Sequence, residues 1–308
     1  MSLTTQNLKS ALQFTEYFLD AIQQTWIDRG FDVEVKDLLR EKILKAASEQ
    51  EKIYGLVLFD KVLPVGISWV ENNTGKYGNI VLFCTNPAYR KQLIDSCLSA
   101  GYFNGVLLEI VTIEDTTEYH DYLNTLNLVK NSRKRMCYWL DEGNEISIKD
   151  HNFTFREMKQ NDLDITGQMS YDAHKISKDY EMYPDLNDPI KRIELEKKVF
   201  NGLYGPIITP ASLLLLEGDE VVASCFMIEV KCWGYDKVPW VFDLVVKPEH
   251  HGKGIGRILM SESLNKCLEL NYPVCGLAVT LSNTYALRLY ESLNFQHVDE
   301  FFEYIRIV

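Results

Sequence analysis

The sequence predicts an α/β protein built from two similar halves. Three observations carry that reading. At 308 residues, the chain is about twice the length of an ordinary domain. The order strand, strand, strand, helix, strand, helix, strand is read twice along it. Between the two runs lies a polar stretch, Asp141 to Asp150, which holds Gly143 and Asn144. The predicted division is therefore 1–145 and 146–308.

In the first half, apolar residues at Leu8, Leu12, Phe14, Phe18, Ile22 and Trp26 predict an amphipathic helix over Asn7 to Trp26, stopped by Gly30. A second helix is predicted from Lys36 to about Glu49. Ile53 to Phe59 and Leu63 to Val70 predict a hairpin turning at Asp60-Lys61. Ile80 to Cys84, Val106 to Val111 and Arg135 to Leu140 predict strands. Pro87 to Ala100 and Thr117 to Leu126 predict helices.

The second half follows the same order. Phe153 to Met158 predicts a strand. Asp162 to His174 and Pro189 to Phe200 predict helices, since proline suits a first helical turn. Ser212 to Glu217 and Val221 to Val230 predict a hairpin around Gly218-Asp219. Trp240 to Val246, Val274 to Thr280 and Phe302 to Val308 predict strands, with helices at Gly254 to Leu270 and Asn283 to Leu293.

Composition bounds the function. Apolar residues make up 46% and charged residues 25%, which excludes a disordered chain or a small disulfide scaffold. Forty-four acidic against 32 basic residues give a net charge of −12, which repels a phosphate backbone and argues against a nucleic-acid partner. No run approaches 18 apolar residues, so no membrane span is expected. Met1 to Leu12 is polar and lacks the apolar core of an export signal. The seven cysteines, at 84, 97, 137, 225, 232, 267 and 275, form no CxxC pair and sit mostly in apolar runs. That pattern predicts buried reduced thiols, a cytoplasmic location and no metal site.

The segment Val241 to Met260 holds the densest chemistry. A buried strand ends at Val246, a turn with Pro248 follows, and Gly252, Gly254 and Gly256 open a helix. Three glycines let backbone approach a ligand closely, and free N–H groups at a helix start attract an anion. The segment therefore predicts a phosphate-bearing ligand beside a strand end. A dinucleotide fingerprint fails, because its third glycine would be Arg257 or Leu259. A P-loop fails too, because Lys253 is followed by Gly254 rather than Ser or Thr.

What remains resembles motif A of the GNAT superfamily, the GCN5-related N-acetyltransferases. That motif reads Gln or Arg, two free positions, Gly, one free position, then Gly or Ala. Here it is His251-Gly252-Lys253-Gly254-Ile255-Gly256, with His in the first place. Downstream, Asn283-Thr-Tyr-Ala286-Leu-Arg-Leu-Tyr290-Glu-Ser-Leu-Asn294-Phe295 resembles the family's late helix. Asn294 replaces its usual glycine, and Asn tolerates left-handed backbone.

The resemblance implies two tandem folds, each a mixed, mainly antiparallel sheet flanked by helices. It implies transfer of acetyl from acetyl-CoA to an amine by direct attack, with no metal. It assigns the cofactor to Leu244, Val245 and Val246 along the strand and to His251, Gly252, Lys253, Gly254, Ile255, Gly256 and Arg257 at the helix start. Asn283 and Tyr290 complete that set, and Tyr290 would protonate the departing CoA thiolate. Asp243 is the candidate base, with Glu229 and Glu217 as alternatives. In the family, the region before the second helix of the fold covers the acceptor. Asp179, Tyr180, Glu181 and Tyr183 fall there, and carboxylates with aromatics suit a cationic amine. Glu229 is the further candidate for binding it.

Against Gly254 and Gly256, the first half carries Leu93 and Asp95, and Arg90 stands where His251 does. A bulky side chain and a carboxylate oppose pyrophosphate binding, so this half reads as a degenerate copy that supports the other or binds a protein partner. Tyr119 or Tyr122 is its remaining tyrosine candidate. Two further classes remain open. One is an acyltransferase acting on protein lysines or N-termini; the other is a CoA-binding module without turnover. Tandem members of the family include effectors that intracellular bacteria inject into host cells. The Asn-, Lys- and Ile-rich composition would suit such a Legionella-like source.

Overall fold

A computed structural model describes residues 3–28, 36–48, 55–71, 77–100, 107–112, 120–126, 128–141, 145–177 and 187–306. By packing, the chain divides into Met1–Asn131 with Phe302–Val308, and Ser132–Phe301.

In the first unit, β1 (Leu3–Asn7), β2 (Gly55–Asp60), β3 (Leu63–Glu71), β4 (Tyr77–Cys84) and β5 (Leu107–Thr112) lie side by side in that order. All neighbours are antiparallel except β4 and β5. Strand alternation sorts the core into two layers. Leu56 and Leu58 face α3 (Arg90–Ser99), while Val57 and Phe59 face α1 (Thr15–Asp28) and α2 (Lys36–Ser48). The short helix α4 (His120–Asn124) adds Leu123 to the α3 layer.

The first predicted helix begins later than its apolar spacing indicates. Residues 3–7 pair instead with β2, and the Asn7 side chain accepts from Lys9 N at 2.9 Å to start a 3-10 turn. Leu8, Leu12 and Phe14 still reach the same core, which is why the apolar period survives although the helix starts at Thr15. The predicted stop at Gly30 lies outside the described residues.

The second unit repeats the plan. Its sheet runs β7 (Thr154–Glu157), β8 (Leu213–Glu217), β9 (Glu220–Cys232), β10 (Tyr235–Val246), β11 (Val274–Thr280), β6 (Val129–Trp139), β12 (Gln296–Arg306). Among the described pairings of this sheet, β10 and β11 run parallel and β7–β8, β8–β9, β9–β10 and β11–β6 run antiparallel. Helices α5 (Leu163–Lys175) and α6 (Pro189–Phe200) cover one face. The other is covered by α7 (Ile255–Glu269) and α8 (Thr284–Ser292). Pro189 opens α6 behind Asp188, whose carboxylate accepts from Ile190 N at 2.8 Å.

Residues 133–139 pair with β11 along its whole length, so packing groups them with the second unit. In the sequence repeat they close the first half. The last strand likewise starts earlier than predicted, at Gln296.

Candidate active site

The site begins with a register slip. Val241 of β10 lies opposite Met227 of β9, but Asp243 lies opposite Phe226, so one extra residue is accommodated on β10. The slip resets which way side chains point. Before it, Val241 packs toward α7 and Trp240 toward α5 and α6. After it, Leu244 and Val246 pack toward α7, and Val245 toward α5 and α6. Phe242 and Asp243 are thus consecutive residues on the α5–α6 face.

At the same place, β10 leaves β11. Their pairing is Trp240 with Gly276 and Val241 with Leu277, and then it stops, although both strands continue. Lys247 N donates to Val222 O across to β9 at 2.9 Å. By antiparallel alternation, the N–H groups of Leu244 and Val246 point away from β9, into the gap. The Val246 carbonyl is bonded to His251 Nε2 at 2.8 Å, which ties the glycine turn to the strand end.

That turn is built from left-handed backbone. Gly252 has φ 77° and Gly254 has φ 79°, and a Cβ on either would meet nothing within 4 Å. The conformation favours glycine, and the space around it is open. Gly254 is the N-cap of α7 and offers no side chain to its first turn. The Ile255 and Gly256 N–H groups, at the helix start, have no intrahelical acceptor, whereas Arg257 N donates to Gly254 O at 3.1 Å. Lys253 is exposed beside them. Ile255 is buried in the core, and Gly256 abuts Val246 and Leu289. Arg257 is held at the end of α8, donating to Ser292 O at 2.8 Å and Ser292 Oγ at 2.6 Å.

Tyr290 reaches the same face from α8. It is 7% exposed and packs edge-on against Phe295 at 5.5 Å. Burial, reinforced by nearby Cys225 and Asp243, pushes its phenol well above the ordinary tyrosine range. It is therefore a proton donor throughout the neutral range. Asn283 caps α8, accepting from Ala286 N at 3.1 Å. Asn294 closes that helix in left-handed backbone, φ 68°. Burial also pushes Cys225 up to about 12, so that thiol is no nucleophile.

On the opposite face, Asp243 is held rather than free. Its Oδ2 accepts from Arg192 Nη2 at 2.8 Å and from Ser170 Oγ, and Arg192 Nε donates to Ser170 Oγ at 2.8 Å. His174 Nε2 stands 3.7 Å from Oδ1. Burial works to raise the pKa of Asp243, but Arg192, His174 and Ser170 together outweigh it and hold the carboxyl well below the usual range. Next to it, Glu196 accepts from Thr166 Oγ1. Its burial and the Asp243 charge push it up to about 8.

Glu229 lies elsewhere, opposite Pro239 on the paired side of the bulge, and accepts from Tyr272 OH at 2.7 Å. Glu217 is exposed, 3.7 Å from His250 Nδ1. Asp179, Tyr180, Glu181 and Tyr183 lie outside the described residues. The cluster of Ser170, His174, Arg192 and Glu196 was not singled out in the sequence. Its signal was there: Thr166, Ser170 and His174 recur every four residues on α5, as Arg192 and Glu196 do on α6.

Among the described residues, no group of His, Cys, Asp and Glu is placed to hold a metal ion. No described helix is long and apolar enough to cross a membrane.

Residues 180–295 match the family described as the acetyltransferase (GNAT) family. This segment is a GNAT acetyltransferase domain. No curated protein matches the chain. Solved structures similar to it include a GCN5-related N-acetyltransferase from Sphaerobacter thermophilus. That one has TM-score 0.68 and 13% identity over 99% of this chain and 95% of the other. A tandem GNAT protein from the clavulanic acid biosynthesis pathway gives 0.55 and 10%, covering 99% and 98%. The fungal GCN5-related glucosamine N-acetyltransferase region of a multi-domain β-N-acetylglucosaminidase gives 0.62 and 15%, covering 99% and 38%. At such identities these neighbours show the fold. None bears on the effector expectation.

In the first unit the described residues show no such parting, and residues 113–119, which follow β5, lie outside them. There β4 and β5 pair at six successive positions, Tyr77 with Leu107 through Leu82 with Thr112. The β3–β4 register has no slip. Leu93 is buried in the core, and Tyr122 OH donates to Asp95.

Proposed function

We propose that the second half of the chain transfers acetyl from acetyl-CoA to an amine, and that the first half holds no second acetyl-CoA site. The observation that carries this reading is the parting of β10 from β11 beside the open glycine turn. An extended arm fits a gap lined by free strand amides. A pyrophosphate fits backbone N–H groups at a helix start.

In this reading, the amides from Gly252 to Gly256 hold the pyrophosphate, with exposed Lys253 adding charge. The N–H groups of Leu244 and Val246 line the arm, and that of Leu244 faces the charge that develops on the thioester oxygen. Tyr290 keeps its proton and gives it to the departing sulfur. His251, Arg257 and Asn283 act through structure: they fix the turn, the end of α8 and its start. Asp243, buried and paired with Arg192, suits a positioning role better than that of the base expected from the sequence.

The acceptor enters from the α5–α6 side; in sequence, Asp179, Tyr180, Glu181 and Tyr183 fall between those two helices, and their carboxylates and aromatics suit a cationic amine. Incubation with acetyl-CoA and a panel of amines, small molecules and lysine peptides, tests the reading by mass spectrometry. An acetylated amine that requires Tyr290 supports it. Binding of acetyl-CoA without transfer to any amine would favour the CoA-binding module instead.

A further inference from the structure

We propose that His174 is the base that takes the proton from the incoming ammonium, with Asp243 as its positioning residue. The inference rests on the acetyl-transfer reading above. It starts from the register slip, which puts Asp243 on the α5–α6 face one residue before Leu244. A carboxylate there sits directly behind the amide assigned to the thioester oxygen. Yet Asp243 is only 12% exposed, and both donors on its Oδ2 are supplied by the protein. What it presents is Oδ1, and the group facing Oδ1 is His174.

His174 occupies the last turn of α5, and its side chain is 38% exposed. The ring is thus reachable from solvent, while the carboxylate behind it is not. At 3.7 Å the two groups face each other without a direct hydrogen bond. Such contacts run long in ligand-free sites and tighten when substrate binds. With Nε2 turned to Asp243, Nδ1 is left to accept a proton. Arg192 from α6 also faces the pair, but its charge is taken up by Asp243. Glu196 on α6 is hydrogen-bonded to Thr166, one turn further along. Asp172 and Lys175 flank His174 on its own helix.

The chemistry balances as follows. The ammonium N–H proton passes to His174 and then to solvent. The freed nitrogen pair forms the C–N bond to the thioester carbonyl carbon. The C–S bond breaks with its pair on sulfur, which takes the Tyr290 proton. The second nitrogen proton returns to the tyrosine through solvent.

The test separates amines by whether they need a base. Methylamine is an ammonium at neutral pH, whereas hydroxylamine is mostly neutral and is already a nucleophile. Release of CoA thiol is measured with each, alongside calorimetric binding of acetyl-CoA. His174→Gln is expected to slow the methylamine reaction by about 100-fold, leaving acetyl-CoA affinity and the hydroxylamine reaction unchanged. Added imidazole is expected to restore methylamine turnover to His174→Ala. Equal losses with both amines, or no loss with either, would overturn the proposal. So would absence of rescue in a variant that binds acetyl-CoA normally. Failure of the wild type to bind acetyl-CoA would instead overturn acetyl transfer itself.

Discussion

Val241 faces Leu277 in the last parallel pair between β10 and β11, and beyond it the two strands part. The parting coincides with the extra residue that turns Asp243 toward α5 and α6 while returning Leu244 and Val246 to the α7 side. One irregularity thus opens the sheet and supplies each face with its own chemistry. The α7 face has the glycine turn and Tyr290. The α5–α6 face has a buried ion pair with a histidine at its rim.

Tyr290 tests the α7 face. Tyr290→Phe removes the proton donor and little else, because the ring still fills its place against Phe295. We expect kcat to fall by about 100-fold with acetyl-CoA affinity unchanged. Since burial raises its pKa, the wild-type kcat profile should show no alkaline fall due to Tyr290 below about pH 10. A Tyr290→Phe enzyme as fast as wild type would remove this residue from the chemistry.

Arg192 tests the anchor. Its guanidinium and the Asp243 carboxylate are 7% and 12% exposed. Removing one partner leaves an unpaired buried charge, so Arg192→Leu should lose about 3–5 kcal/mol in urea unfolding. Asp243 has a depressed pKa, so its stabilisation is present above the unfolded value and is lost as pH falls through the folded one. That acid-side loss should shrink in Arg192→Leu. A destabilisation under about 1 kcal/mol would show that the pair carries no weight.

Glu196 should give the opposite pH dependence. Its folded pKa of about 8 lies above the ordinary carboxylate value, so the folded state holds a proton that the unfolded chain has lost. Its contribution is fully present below the unfolded pKa and is lost as pH rises toward 8. Glu196→Gln keeps the neutral form and should be the more stable protein at pH 8 by a few kcal/mol. Equal stability of the two proteins from pH 5 to 9 would contradict this.

What was legible in the sequence is local. The glycine turn, the helix behind it, the Asn283 cap and the left-handed Asn294 are set by residues within a few positions of each other. The register slip has no such signature, because β10 reads as a plain apolar strand and its extra residue is fixed by packing against β9. The Arg192–Asp243 pair spans 51 residues and Ser170–Asp243 spans 73, so neither partner points to the other in one dimension. The first strand was hidden for a related reason. Leu8, Leu12 and Phe14 keep a helical period while 3-10 turns carry them.

The first half carries Leu93 and Asp95 where the second has Gly254 and Gly256. Along their described pairing, Tyr77 with Leu107 through Leu82 with Thr112, β4 and β5 stay together, and Leu93 fills the core. The central claim is therefore one acetyl-CoA per chain, seated at the α7 glycine turn. Calorimetric titration of acetyl-CoA into the wild type and Gly254→Asp tests it most directly. Position 254 needs left-handed backbone, and a carboxylate there repels a pyrophosphate while its Cβ meets open space. The account predicts one site in the wild type and none in Gly254→Asp. Two sites, or a single site untouched by the substitution, would contradict it.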